Sequence, residues 1–204
     1  MIKVGIVPKV LETYKEQFEL SVENNLLILL KKELKINDID ILTHNSNLNK
    51  YDVFISSGGN DIKKFSKDIK NKIRNLYEMK IINHCIKKKT TYIGICYGAQ
   101  FVANIFGASL NKNLFKEKKR HKIKFVRNFN NIKKNTKSVV NSFHNYKISK
   151  INNSLIEYAV SEDDNSTEFF KHRNKKIYGI MWHPERFKKI NTFHKILIKD
   201  ILCS

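Results

Sequence analysis

Short apolar runs and longer amphipathic stretches alternate along the first half of the chain. Residues 2–7 form an apolar run that Pro8 ends. Val53, Phe54 and Ile55 form another within 51–56, halted by Ser57, Gly58, Gly59, Asn60 and Asp61. Residues 38–43 alternate through Ile39 and Ile41, and 91–95 are apolar again. Between these runs, Phe18, Val22, Leu26, Leu29, Leu30 and Leu34 recur at helical spacing and predict a helix over 17–35. Ile69, Ile73, Leu76, Tyr77, Ile81 and Cys85 predict a second over 67–88. A third is expected over 99–106, with Phe101, Val102, Ile105 and Phe106 inward and Gly107 just past its last turn.

The second half changes period. Residues 122–126, 138–143, 155–160, 167–170 and 176–181 read as strands joined by short polar loops, followed by a helix over 192–202. The Asn-rich stretches 45–49 and 128–135 read as loops. Strand–helix alternation followed by a strand-rich stretch predicts an α/β fold. Its central sheet is mostly parallel and flanked by helices, with antiparallel edge strands. No repeat, linker or shift of composition divides the chain, so residues 1–204 are expected to form one domain.

Composition narrows the class. With 41% hydrophobic residues the chain is expected to pack a core rather than stay disordered. The longest unbroken apolar run, Leu26 to Leu30, has five residues. A membrane span needs roughly 20, and the first residues lack a signal-peptide pattern. The expectation is a cytoplasmic protein without membrane contact. Cys85, Cys96 and Cys203 are sparse and show no C-x-x-C spacing, which argues against a disulfide framework and against a structural metal site. The net charge of +20 suits an anionic partner, but lysines are scattered along the whole chain, as a compositional bias also produces. The densest cluster, 116–124, has no aromatic until Phe125, so no nucleic-acid partner is expected.

Candidate chemistry centres on Gly94-Ile95-Cys96-Tyr97-Gly98. A strand should end at Ile95 and a helix begin just after Gly98, which puts Cys96 on a sharp strand-to-helix turn. Glycines two residues to either side remove the Cβ atoms that would clash as strand and helix close up. The helix dipole and the free N–H groups of the first turn favour a thiolate, and the Tyr97 N–H is placed to receive an oxyanion. Taken alone, the same spacing equally suits a small, inert core cysteine. Two further strand ends tip the balance. Gly58 and Gly59 can turn backbone N–H groups toward a ligand. His183, at the end of the 176–181 run, is followed by Pro184 and Glu185, a carboxylate placed to orient the imidazole. A nucleophile, oxyanion donors and a base at three strand ends point to a hydrolytic cysteine site.

At these residues the chain resembles a class I glutamine amidotransferase, most closely the γ-glutamyl hydrolase branch of peptidase C26 type. The likeness rests on SSGGND at 56–61, RNLYEMKII at 74–82, GICYGAQ at 94–100, VNSFHN at 140–145, STEFF at 166–170 and MWHPER at 181–186. It implies a flavodoxin-like layered fold. It also implies Cys96 as nucleophile, His183 as acid and base, and Glu185 as its orienting partner. Gly59 and Tyr97 would supply the oxyanion hole. Gly58, Asn60, Gln100, Ser142, Phe143, His144 and Glu168 would surround the glutamyl group. The branch commonly has Arg after the nucleophile where this chain has Tyr97, so contacts to the leaving group are expected to differ. The strings at 57–61, 140–145 and 181–186 further suggest a small anionic, nucleotide-linked γ-glutamyl conjugate as substrate. Such conjugates serve in adding phosphoramidate to capsular polysaccharide. No cofactor or metal is implied, and nothing here indicates an oligomeric state. The runner-up is a glutaminase subunit that passes ammonia to a synthase. A basic nucleic-acid-binding protein on an inactive fold is the third reading.

Overall fold

The computed structural model describes residues 2–62, 64–112 and 120–204. Residues 116–119 of the basic cluster lie outside them. The apolar runs become the parallel half of an 11-stranded sheet: β1 (Val4–Val7), β4 (Ile39–Ile41), β5 (Val53–Ser56), β6 (Thr91–Ile95) and β13 (Ile177–Ile180). Each adjacent pair in the order β4-β1-β5-β6-β13 is parallel. β5, β6 and β13 are buried at every position. Continuous Val, Ile, Phe and Tyr there suit strands covered on both faces.

The order continues antiparallel through β12 (Thr167–His172), β11 (Leu155–Ser161), β8 (Arg120–Phe125) and β9 (Lys137–Asn141). β10 (Tyr146–Lys150) pairs with β12 and with β7 (Ser109–Lys112). Each of the five expected later strands is therefore present, and β7 and β10 are additional. Both are short, with mostly exposed or half-buried side chains that leave little apolar alternation to read.

Two helices cover each face. α1 (Asn24–Ile28), extended by a wider turn through Glu33, and α4 (Thr192–Leu202) pack Leu26, Leu30, Leu197 and Ile201 against Ile6, Ile93 and Ile180. α2 (Ile69–Lys88) and α3 (Tyr97–Ile105) pack Tyr77, Ile81, Phe101 and Val102 against Phe54 and Tyr92 on the other face. Gly107 closes α3 at φ 80°, as its position predicted.

One expected element is wrong. Residues 17–35 are not one helix, because Gln17–Ser21 is a strand, β3, paired antiparallel with β2 (Lys9–Tyr14). Phe18, Leu20 and Val22 fit a period of two as well as a helical one, and the strand reading prevails. Glu16, at φ 62°, makes the tight turn between them. This hairpin stands apart from the large sheet, beside the carboxyl ends of its parallel strands.

Candidate active site

Cys96 joins β6 to α3 at φ 51° and ψ −96°, a backbone conformation that costs a non-glycine residue of order 1–3 kcal/mol. The surroundings hold it there. Its N–H donates to the Ile180 carbonyl (2.8 Å), and its own carbonyl accepts from the Gln100 N–H (2.9 Å). Only glycines allow the turn. A Cβ on Gly94 would lie 2.4 Å from the Gly98 carbonyl carbon, and one on Gly98 would lie 2.6 Å from Ser56 Oγ. The helix begins directly at Tyr97, two residues earlier than its apolar pattern suggests.

His183 follows β13 and is 1% exposed. Its Nδ1 lies 2.6 Å from Glu185 Oε1, and the ring opens on the same cavity as Cys96. Burial disfavours the imidazolium. The neighbouring Cys96 and the Glu185 carboxylate outweigh it, so the imidazole is pushed up to about 10. Gly58 packs directly against the ring, where a Cβ would stand 2.3 Å from Cε1.

Two residues that sequence reasoning missed hold the base in place. Asn141, at the end of β9, accepts from the His183 N–H and donates to the His183 carbonyl, both at 2.8 Å. It lies inside the VNSFHN string, where the apolar alternation of its neighbours is the stronger signal. Arg186 forks onto Glu23, with Nε donating to Oε2 at 2.9 Å and Nη2 to Oε1. Arg186 holds the Glu23 carboxyl below the usual range against the opposing effect of burial. The guanidinium also lies 4.7 Å from the ring centre of Phe143, whose ring meets His183 edge-on at 5.7 Å. Nothing local in the sequence signals a pair separated by 163 positions. Atoms of Glu23, His183 and Glu185 lie within 4.8 Å of one another, close enough to ligate a metal. The Arg186 fork occupies both Glu23 oxygens, and the Glu185 hydrogen bond occupies Nδ1.

Cys96, Tyr97, Gly59, Gln100 and His183 open on one cavity of about 470 Å³. Asn60, Phe143 and His144 also line it. Gly59 stands at φ 87°. Asn60 reaches the cavity, but its side chain is already engaged. It exchanges two hydrogen bonds with the Val10 backbone (2.8 Å each) and donates to Asn71 Oδ1 (3.1 Å). Its role is to dock the hairpin. Gln100 donates to the Tyr146 carbonyl at 3.1 Å.

Ser142 and Glu168 are not among the described lining residues. Ser142 Oγ lies 3.3 Å from His144 Nε2, and burial pushes the His144 imidazole down. Glu168 is buried on β12, 3.1 Å from His121 Nε2 on β8. Despite burial, that carboxylate pushes the His121 imidazole up. The charged lining is mixed, with Glu12, Asp61 and Asp68 against Lys70 and Arg186.

Comparison with known proteins bears on the family and the fold. Residues 14–199 match the family described as glutamine amidotransferase class-I. The chain is 36% identical over 138 residues to the gamma-glutamyl-CDP-amidate hydrolase of Campylobacter jejuni, covering 68% of this chain and 64% of that protein. It is 28% identical over 132 residues to a subunit of the glutamine-hydrolyzing GMP synthase of Methanococcus aeolicus, covering 64% and 63% of the two. The matches thus span less than two thirds of the length of either relative. Among solved structures, a putative GMP synthase subunit from Thermoplasma acidophilum superposes with a TM-score of 0.73 at 21% identity. That match covers 100% of this chain and 93% of the other.

Proposed function

The chain belongs to the class-I glutamine amidotransferase family, and from that premise we propose that it is a cysteine hydrolase releasing L-glutamate from a γ-glutamyl conjugate. One observation carries the reading. A cysteine on a strained elbow and a buried imidazole whose Nδ1 is held by a carboxylate open on one cavity with Gly59 and Tyr97. The Campylobacter jejuni relative supports a stand-alone hydrolase and suggests γ-glutamyl-CDP-amidate as the conjugate. CDP-amidate and glutamate would then be the products, in the supply of phosphoramidate for capsular polysaccharide.

In this reading the Cys96 thiolate attacks the γ-carbonyl, and the Gly59 and Tyr97 N–H groups hold the oxyanion. Glu185 keeps the His183 proton donor aimed at the leaving nitrogen. His183 protonates that nitrogen as the C–N bond breaks, leaving a glutamyl thioester on Cys96. His183, now neutral, takes a proton from water. The hydroxide adds to the thioester, glutamate departs, and the thiolate–imidazolium pair returns. Each oxyanion donor is worth about 3 kcal/mol in the transition state.

The test is glutamate release by the purified chain from a panel of γ-glutamyl conjugates, with γ-glutamyl-CDP-amidate included. Cys96→Ala should abolish turnover, and unchanged turnover in that variant would overturn the assignment. A second reading, a glutaminase subunit feeding ammonia to a synthase, draws on the GMP synthase relatives. It predicts glutaminase activity that rises sharply only when a synthase partner is added.

A further inference from the structure

Arg74, on α2, is 0% exposed and has its ion-pair partner, Glu78, one turn along the same helix at 2.9 Å, also 0% exposed. Removing two charges from water is costly, and a buried pair seldom repays that cost in stability alone. What the guanidinium touches suggests a reason for it. Nη1 donates to the Val7 carbonyl (3.1 Å), and Nη2 donates to Ser56 Oγ (2.8 Å) and to the Ser57 carbonyl (3.2 Å). The Ser57 carbonyl belongs to the peptide immediately before the one that carries the Gly59 N–H. The guanidinium carbon also lies 4.9 Å from the centre of the Tyr97 ring. Ser56 Oγ in turn fills the space a Gly98 side chain would take at the first turn of α3. One rigid, permanently charged fork therefore bears on both segments that supply the oxyanion N–H groups, at 57–59 and at 97–98. Glu78 fixes the fork from below and accepts from the Tyr92 hydroxyl at 2.6 Å.

Resting on the proposed hydrolase reading, we propose that Arg74, held by Glu78, is a positioning residue that sets the separation and direction of the two oxyanion-hole N–H groups. It touches neither Cys96 nor His183 by any hydrogen bond among the described residues. Its loss should therefore weaken transition-state binding without disarming the nucleophile.

Two variants separate this role from a purely structural one. Arg74→Lys keeps the charge but loses the fork. Arg74→Leu combined with Glu78→Leu removes both charges, so no carboxylate is left buried alone. With γ-glutamyl-CDP-amidate as probe, kcat should fall about 10- to 100-fold in each while KM changes less than about threefold, as misplacement by a fraction of an ångström to an ångström would produce. Alkylation of Cys96 by iodoacetamide, which needs the thiolate but no oxyanion hole, should stay within about twofold of the parent. Arg74→Lys is the smaller change, so it carries the test if the double variant does not fold. A folded variant with unchanged kcat would overturn the proposal. So would alkylation that falls in step with kcat, because that marks general collapse of the site. Failure of the hydrolase reading is seen separately, as turnover that survives Cys96→Ala.

Discussion

Replacing Asn141 by alanine should damage stability and catalysis together, through a single residue that never meets the substrate in the proposed mechanism. Asn141 satisfies both the N–H and the carbonyl of His183, at 2.8 Å each, and His183 is 1% exposed. Truncation leaves the buried His183 N–H without a partner, at about 1–3 kcal/mol, while the His183 carbonyl keeps the Arg186 N–H at 3.2 Å. The adjoining cavity of about 470 Å³ gives water a way to part of this surface, which sets the expected loss at about 2 kcal/mol. Against a total stability of about 5–15 kcal/mol that is a large share. With an m-value of about 2 kcal/mol/M it shifts the urea midpoint down by about 1 M.

Trp182 is the chain's single tryptophan, fully buried and next to His183, so its fluorescence follows unfolding at the right place. Without the clamp the 181–186 segment can drift from the end of β9, and drift of about 1 Å costs about 100-fold in turnover. Asn141→Asp sharpens the test. It keeps an acceptor for the His183 N–H but sets a carboxylate oxygen against the His183 carbonyl, so it should be no better than alanine in kcat. A midpoint within about 0.3 M of the parent, with kcat changed less than twofold, would refute the clamp.

Two other outcomes follow from the same site. Gly58→Ala drives a methyl to 2.3 Å from His183 Cε1; the imidazole must move, and glutamate release should fall about 100-fold while the circular dichroism spectrum is kept. A retained rate would show that the ring has room. The His183 imidazole is raised from 6.5 to about 10 in the folded chain, so its charged form stabilises the fold fully below about pH 6.5, and that stabilisation is lost as pH rises through about 10. The stability difference between the parent and His183→Asn, read from melts across that window, should therefore shrink with rising pH, and a difference that grows would contradict the assigned charge state.

How much of this was legible depended on whether the signal was local. The elbow at 94–98, the apolar runs of β5, β6 and β13, and α4 are written in short contiguous patterns, and the fold follows them. The hairpin at 9–21 was not legible, because Phe18, Leu20 and Val22 satisfy two periods and only pairing with residues 9–14 decides between them. β7 and β10 have too little apolar alternation to stand out. The candidate catalytic side chains were readable by type and by strand-end position. Their supports were not: the Asn141 clamp, the Glu23–Arg186 fork and the Arg74 contacts join segments 42, 163 and 67 positions apart. Glu168 was readable only as an acidic residue on a strand, and its contact with His121 joins two strands that the sequence does not link.

The charge excess also takes a different meaning once the residues have places. Several ion pairs away from the site, such as Lys137–Glu162 and Lys195–Glu33, are partly exposed. Such pairs are worth about 0–1 kcal/mol each, so they say little about stability. Among the described residues the cavity does not concentrate the positive charge, for its lining carries Glu12, Asp61 and Asp68 beside Lys70 and Arg186. Arg186 is already neutralised by Glu23 and packed on Phe143. On the proposed reading, the net charge of +20 would act on an anionic conjugate mainly at a distance, raising its encounter rate through the long-range field rather than gripping it at the reacting bond. Close to the bond, the buried charges that matter are those paired within the chain: Arg74 with Glu78 and His183 with Glu185. These pairs are costly to bury and are found where geometry must be held, which is how a chain so rich in lysine can still present a compact and nearly charge-balanced reaction centre.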